Sequence, residues 1–304
     1  MRLFLTTVCV GGGLVVPALG ELKTKDSEGS HMDVLSGDKV LVRYMYGHDT
    51  SSAERHHETY KPYLHVFDAE GKKPITKGPG GKFTHHRGIF IGWNRIGFGG
   101  KTYDRWHMKG GDIIHRAFHG TEAGKDKAAI VSGTQWMADG DQVILDEVRM
   151  MSVEEGGKHG VRMTIDFKSV LTANNGEVVL KGDPEHAGIQ YRPANEVDVK
   201  QTKYVFPEGV TDVKKEKDLP WAGESYTLDG KRYSVVQMNH PSNPKGTRHS
   251  AYRDYGRFGA FFETTIPNGE SLTVHYRFLV IDGELPERSL IEQAWKAYAA
   301  SKKN

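Results

Sequence analysis

Residues 161–170, VRMTIDFKSV, place Val161, Met163, Ile165 and Phe167 on one face of an extended chain and Arg162, Thr164, Asp166 and Lys168 on the other. Residues 271–280, SLTVHYRFLV, repeat the pattern with Leu272, Val274, Tyr276 and Phe278. A period of two is the side-chain spacing of a half-buried strand. The same alternation recurs at 40–46, 63–67, 128–136, 143–151 and 233–238. Between the runs lie ADGDQ, EEGGKHG, TANNGE and LDGKR, whose Gly and Asn accept the positive φ of hairpin turns. One segment alone reads as a helix, PERSLIEQAWKAYAASKK at 286–303. There Leu290, Ile291, Ala294, Trp295 and Tyr298 recur at helical spacing, and Lys302 and Lys303 suit the negative end of the helix dipole. The expectation is one all-β domain over 39–304, a large antiparallel two-sheet β-sandwich, with Leu290, Trp295 and Tyr298 of a C-terminal helix packed inward.

The first twenty residues, MRLFLTTVCVGGGLVVPALG, combine a basic start at Arg2, an apolar middle and a small-residue cleavage site at Ala18 and Gly20. That is the pattern of a cleaved export signal, and it places the chain in the periplasm or outside the cell. Its apolar part is shorter than the roughly 20 residues of a spanning helix, so a chain that does not span the membrane is expected. Residues 21–38 are polar and poor in aromatics and read as a flexible linker. Cys9, the only cysteine, lies inside the signal, which excludes thiolate nucleophiles, cysteine metal sites and disulfides from the remainder. With 41 Lys and Arg against 39 Asp and Glu, there is no electrostatic case for nucleic acid.

Three clusters carry candidate chemistry. FTHHRGIFIGWNRIG (83–97) sets His85, His86 and Arg87 before an apolar run. If the run is extended from His85, strand parity sends His85 and Arg87 to one face and His86 to the other, so only one histidine enters a common site. A loop-to-strand junction is the other reading. In DPEHAGIQYRPANEV (183–197) parity groups His186, Gln190 and Arg192 beside Gly188. Imidazole, amide and guanidinium on one face suit a wet groove better than a dry core. In VVQMNHPSNPKGTRHSAYRDYGRFG (235–259), His240 opens a turn-rich loop that goes on to Tyr252, Arg253, Tyr255 and Arg257. Aromatic faces and planar cations on a loop suit a sugar ring and its oxygens.

His115 and His119 would be about 13 Å apart on a strand rising roughly 3.3 Å per residue, too far to share an ion. No HExxH, EF-hand, GxSxG, Walker or Rossmann pattern occurs. The sequence requires no cofactor, and a divalent metal would have to be assembled from distant segments such as His85 or His86, His186 and His240.

HHRGIFIGWN, DPEHAGIQYRPANEV, MNHPSNP, YGRFGAFF and the closing PNGESLTVHYRFLVIDG together resemble a family of exported bacterial proteins often labelled PmoA or methane oxygenase. That family is in turn similar to the galactose mutarotase-like β-supersandwich. The resemblance implies a sugar bound on a concave sheet and acid–base chemistry by a histidine with a carboxylate. His186 matches that histidine by position, and Glu147, Glu185 and Glu263 are candidates for the carboxylate. The reading is an exported enzyme acting on a sugar or keto-sugar as an epimerase, mutarotase or lyase. His186 is the expected acid or base and His86 or His85 its partner, the parity argument favouring His86. Arg87, Gln190, Arg192, His240, Tyr255 and Arg257 are the expected substrate contacts. The alternative is a non-catalytic glycan-binding sandwich that uses Trp93, Trp106, Trp136, Tyr252 and Tyr255. Exposed aromatics on a flat face would mark that alternative.

Overall fold

A computed structural model describes residues 21–301. The expected export signal, Lys302 and Lys303 lie outside the described residues. Among the described residues, twenty strands form three antiparallel sheets. The first, in spatial order, is β1 (Leu22–Ser27), β2 (His31–Ser36), β3 (Lys39–Met45), β4 (Tyr63–Val66), β5 (Ile89–Trp93), β13 (Ala187–Tyr191), β18 (Phe258–Phe261) and β17 (Arg248–His249). The second is β14 (Lys203–Val205), β15 (Trp221–Leu228), β16 (Lys231–Asn239), β20 (Ser271–Asp282), β11 (Val161–Thr172), β10 (Val143–Glu155), β9 (Lys127–Met137) and β8 (Ile113–Ala123). A small third sheet joins β19 (Thr264–Ile266), β12 (Val178–Lys181), β6 (Arg95–Phe98) and β7 (Lys101–Tyr103).

The two large sheets pack face to face, as the alternation requires. On β11, Met163, Ile165, Phe167, Ser169 and Leu171 are buried while the residues alternating with them are partly exposed. Outward-facing Asp166 pairs with Arg277 of β20 at 2.7 Å. Across the interface the Tyr191 and Tyr226 hydroxyls meet at 2.6 Å, and the Trp93 and Trp136 rings lie 6.0 Å apart.

The helix α2 (Arg288–Ala300) covers the other face of the second sheet. Ile291 and Tyr298 are buried against Trp221, Val236, Met238, Leu279 and Ile281. That second cover explains why β20 buries residues on both faces. Trp295 is only half-buried and donates its Nε1–H to the Asn239 carbonyl at 3.0 Å. Leu290 is also half-buried.

Two expectations are corrected. Residues 21–38 are not a linker: β1 and β2 form a hairpin that extends the first sheet. Three apolar side chains suffice to dock it, Leu22, Met32 and Val34, each 5% exposed or less. Buried Asp33 is matched by Arg43 at 2.7 Å. The second correction is a helix, α1 (Ala53–Thr59), capped by the Ser52 side chain. None of its residues is buried, so it has no apolar stripe to read.

Candidate active site

The face of β5 turned away from the second sheet carries Phe90. The chain from 104 to 111 crosses that face closely, because a Cβ on Gly92 would come within 2.2 Å of the Arg105 carbonyl. Trp106 of this crossing packs against Phe90, the rings tilted by 46° with centroids 4.8 Å apart. Lys61 closes the floor, with its Nζ 3.7 Å from the Phe90 ring centroid and donating to the Trp106 carbonyl at 2.6 Å.

Three imidazoles from three segments meet above this floor. His85 precedes β5, His107 lies between β7 and β8, and His186 immediately precedes β13. The ring centroids are 4.3 Å apart for His85 and His107, 5.2 Å for His107 and His186, and 6.3 Å for His85 and His186. One nitrogen from each lies within 4.8 Å of the other two.

Each segment is fixed by its own hydrogen bonds. Asp104 accepts from the backbone N–H groups of Trp106 and His107 and from His107 Nδ1 at 3.0, 2.8 and 2.8 Å. Fully buried Arg105 holds the same loop through the carbonyls of Asp104, Lys109, Gly110, Gly111 and Met137. Asp183 repeats the device: its Oδ1 accepts from Glu185 N–H and meets His186 Nδ1 at 2.9 Å, while its Oδ2 accepts from Asn94.

Burial works against the Asp104 and Asp183 carboxylates. For Asp104 the bonds from His107 outweigh it, and for Asp183 the His186 charge and the Asn94 bond do, so both are held below their ordinary range. Burial and the neighbouring His107, Lys61, His186 and Arg87 push His85 down to about 2, so its ring is neutral.

Only one of the two histidines joins His186, as expected, but the preference for His86 fails. β5 begins only at Ile89 and residues 84 and 85 form a turn, with Phe83 at φ 54°. His85 is therefore the member of the pair that joins His186. His86 turns into the protein, 2% exposed, packed by Phe83, Tyr255 and Trp106. Burial and the charges of His85, Arg257 and Arg192 push its titration down.

Several expected contacts are committed to the scaffold. Arg87 is buried and donates to the carbonyls of Thr84, His86 and His57. Gln190 is buried and donates to the Arg87 carbonyl at 2.7 Å, so its face is not a wet groove. Arg192 bonds the carbonyls of Pro193 and Tyr255 and lies 4.8 Å from the Tyr255 ring centroid. Arg257 bonds Ser250 at 2.8 Å. His240 belongs elsewhere: it follows β16, with Ser242 at 2.7 Å and the His275 and Tyr298 rings at 5.6 and 5.2 Å. His240 therefore does not join His85 or His186, and the groups among the described residues that could hold an ion are His85, His107 and His186, and His48, His56 and Asp112.

Among the expected carboxylates, Glu147 is buried in the sandwich and bonded to Arg149, Thr134, Trp136 and Ser169. Glu185 is held by Tyr252 and Arg253. Exposed Glu263 lines a cleft of about 360 Å³ with Asp183, Lys217, Lys245 and Arg248. The cleft shares Asp183 with the histidine centre and presents three cations to solvent. A larger cavity of about 610 Å³, lined by Asp68, Lys73, Glu196 and Tyr233, involves none of the three histidines.

The sequence reading missed His107, Asp104, Asp183 and two further groups. A usable signal was present: DRWH (104–107) and DPEH (183–186) share the spacing Asp-x-x-His. One missed group is His48, His56 and Asp112, in which both histidine Nε2 atoms meet the same Asp112 oxygen at 2.9 and 2.7 Å. The other is Glu224, fully buried near Arg192, with burial raising its carboxyl well above the ordinary range against the opposing Arg192 charge.

A family model described as "Family of unknown function (DUF6807)" matches residues 31–296. No curated protein matches the chain. Among solved structures, a candidate aldose 1-epimerase from Klebsiella pneumoniae subsp. pneumoniae is 12% identical, with TM-score 0.45 over 92% of this chain and 84% of that one. An aldose epimerase homologue from C. elegans is 8% identical, with TM-score 0.38 over 86% and 99%. The heparan sulfate lyase HepC from Pedobacter heparinus is 10% identical, with TM-score 0.38 over 88% of this chain. The chain spans 36% of that lyase.

Proposed function

The chain belongs to the DUF6807 family, and within it we propose an exported carbohydrate-active enzyme that moves protons on a sugar or keto-sugar at the His85, His107 and His186 centre. The observation that carries this reading is the convergence of three imidazoles from separate loops, two of them backed on Nδ1 by aspartates. An aspartate on Nδ1 fixes the ring tautomer and leaves Nε2 facing the reactant. Imidazoles so positioned are suited to act as general acid and base. The adjoining cleft, with Lys217, Lys245 and Arg248, suits a hydroxyl-rich or carboxylate-bearing substrate, because these cations donate to its oxygens.

A flat glycan-binding platform is less well supported. Trp93, Trp106 and Trp136 are each 0% exposed, so they offer no ring face to a sugar. The test is a panel of sugars, keto-sugars, uronates and glycosides given to the purified protein. Turnover that disappears in a folded His186→Gln variant supports the reading, and the absence of turnover across the panel counts against it. For export, secreted material should begin near Glu21, and material that retains Met1 would contradict it. Such cleavage would spare β1, whose Leu22 N–H bonds the Gly124 carbonyl at 2.8 Å.

A further inference from the structure

We infer that His85, His107 and His186 hold one divalent transition-metal ion of the zinc type, with Asp104 and Asp183 as the carboxylates behind two of the ligands. The inference rests on the preceding reading for its catalytic meaning, but the site itself stands on geometry. One nitrogen of each ring already lies within 4.8 Å of the others. An ion bonded at about 2.0–2.1 Å to each ligand sets tetrahedral nitrogens about 3.3 Å apart. Small side-chain shifts that keep the Nδ1–aspartate pairs can close that difference, the His186 side chain being 36% exposed.

The donor set is complete in the sense that metal sites require. His107 and His186 each spend Nδ1 on a carboxylate, at 2.8 and 2.9 Å. The nitrogen left to each is Nε2, and carboxylate-backed imidazole is the recurrent arrangement that orients a metal ligand and raises its basicity. His85 brings Nε2, which is buried and without a hydrogen-bond partner. A buried unpaired nitrogen costs free energy unless something occupies it, and an ion between the rings would do so. The two aspartates also match the charge of a divalent ion. Three imidazoles without thiolate favour zinc and its neighbours over calcium or magnesium, which take oxygen ligands. Three protein ligands leave a fourth position open, where a substrate oxygen or water would be polarised.

The His48, His56 and Asp112 group is built differently. There the carboxylate oxygen is itself the partner of both Nε2 atoms, so no ring nitrogen is left facing an empty centre. It serves as the internal control.

The experiment strips the full chain with chelator and titrates it with Zn²⁺ by calorimetry, then with Co²⁺ by visible absorption. One equivalent should bind at micromolar affinity or tighter, with the intense cobalt bands of a tetrahedral site. His107→Ala and His186→Ala should each lose at least 100-fold in affinity, Asp183→Asn on the order of 10-fold, and His48→Gln with His56→Gln should change nothing. Circular dichroism of each variant confirms the fold. No binding by the wild type, or binding lost in the His48/His56 variant but kept in His107→Ala, overturns the inference. Turnover by a protein that binds neither Zn²⁺ nor Co²⁺ would sink the metal site and leave the proposed function standing. Metal bound at the three histidines without turnover of any sugar would do the reverse.

Discussion

The Nδ1 of His186 lies 2.9 Å from Oδ1 of Asp183, three residues earlier, and His107 stands in the same relation to Asp104 at 2.8 Å. In both cases the aspartate also caps backbone N–H groups of the turn that carries the histidine. Loop conformation and ring orientation are therefore set by one side chain. Replacing Asp183 by asparagine keeps the shape and removes the charge and acceptor symmetry. The expected result is a loss of about 10–100-fold in kcat/KM with an unfolding midpoint close to that of the wild type. Unchanged kinetics would show that the pairing does not orient His186.

Glu147 separates structure from catalysis. It is 2% exposed and accepts from Arg149 at 2.8 Å, in a network completed by Trp136 and Ser169. Removing one partner of a buried pair leaves the other uncompensated. Glu147→Gln should therefore cost about 3–5 kcal/mol in denaturant unfolding. The remaining folded fraction should keep the wild-type pH dependence of turnover. A pH profile that lost one limb would instead return Glu147 to the list of proton-transfer groups.

Trp295 tests the docking of α2. A fully buried indole replaced by alanine costs roughly 3–5 kcal/mol. Trp295 is half-buried with one hydrogen bond to Asn239, so about 2 kcal/mol is expected. Ile291→Ala, at a residue 1% exposed, should cost at least as much. Negligible shifts for both would mean that the helix contributes nothing to the sandwich.

His249, which is not one of the three histidines of the centre, gives the fold a pH dependence of its own. It is 1% exposed, and burial pushes it down from 6.5 to about 4, with Asp218 opposing. The unfolded chain takes up a proton on His249 below pH 6.5 while the folded one does not until about 4. Stability from this group is complete above the higher value and falls as pH drops through the window, by about 2 kcal/mol at pH 5. Urea unfolding at pH 7.5 and pH 5 should show a fall that is smaller by that amount in His249→Leu. An identical pH effect in both proteins would exclude the residue.

The sandwich was legible because β11 is buried at every second position from Met163 to Leu171 and leaves its period in the sequence, and the first half of β20 keeps the same period although the helix cover buries residues on both of its faces. The hairpin at 22–36 was not, since Leu22, Met32 and Val34 are too few to mark a strand pair and Asp33 is buried only because Arg43 faces it. In the site, alternation says nothing of His85 and His86, because they precede β5. At β13 it was applied across Gly188, whose φ of 80° breaks the alternation. A Cβ at Gly188 would come within 2.0 Å of the Ala260 carbonyl, a contact between strands that no local pattern announces. His107 was passed over because its loop has no periodicity, and what sets its place is Arg105 bonding five carbonyls.

His107 is also where the account is most directly exposed, because its part rests on its position beside His85 and His186 and on the Asp104 carboxylate behind it. With the sugar identified from the panel, kcat/KM is measured for wild type and His107→Gln, alongside urea unfolding of both. A loss on the order of 10²–10⁴-fold with an unchanged unfolding midpoint is the expected result. Wild-type turnover by folded His107→Gln would contradict the three-histidine centre as the place where the chemistry occurs.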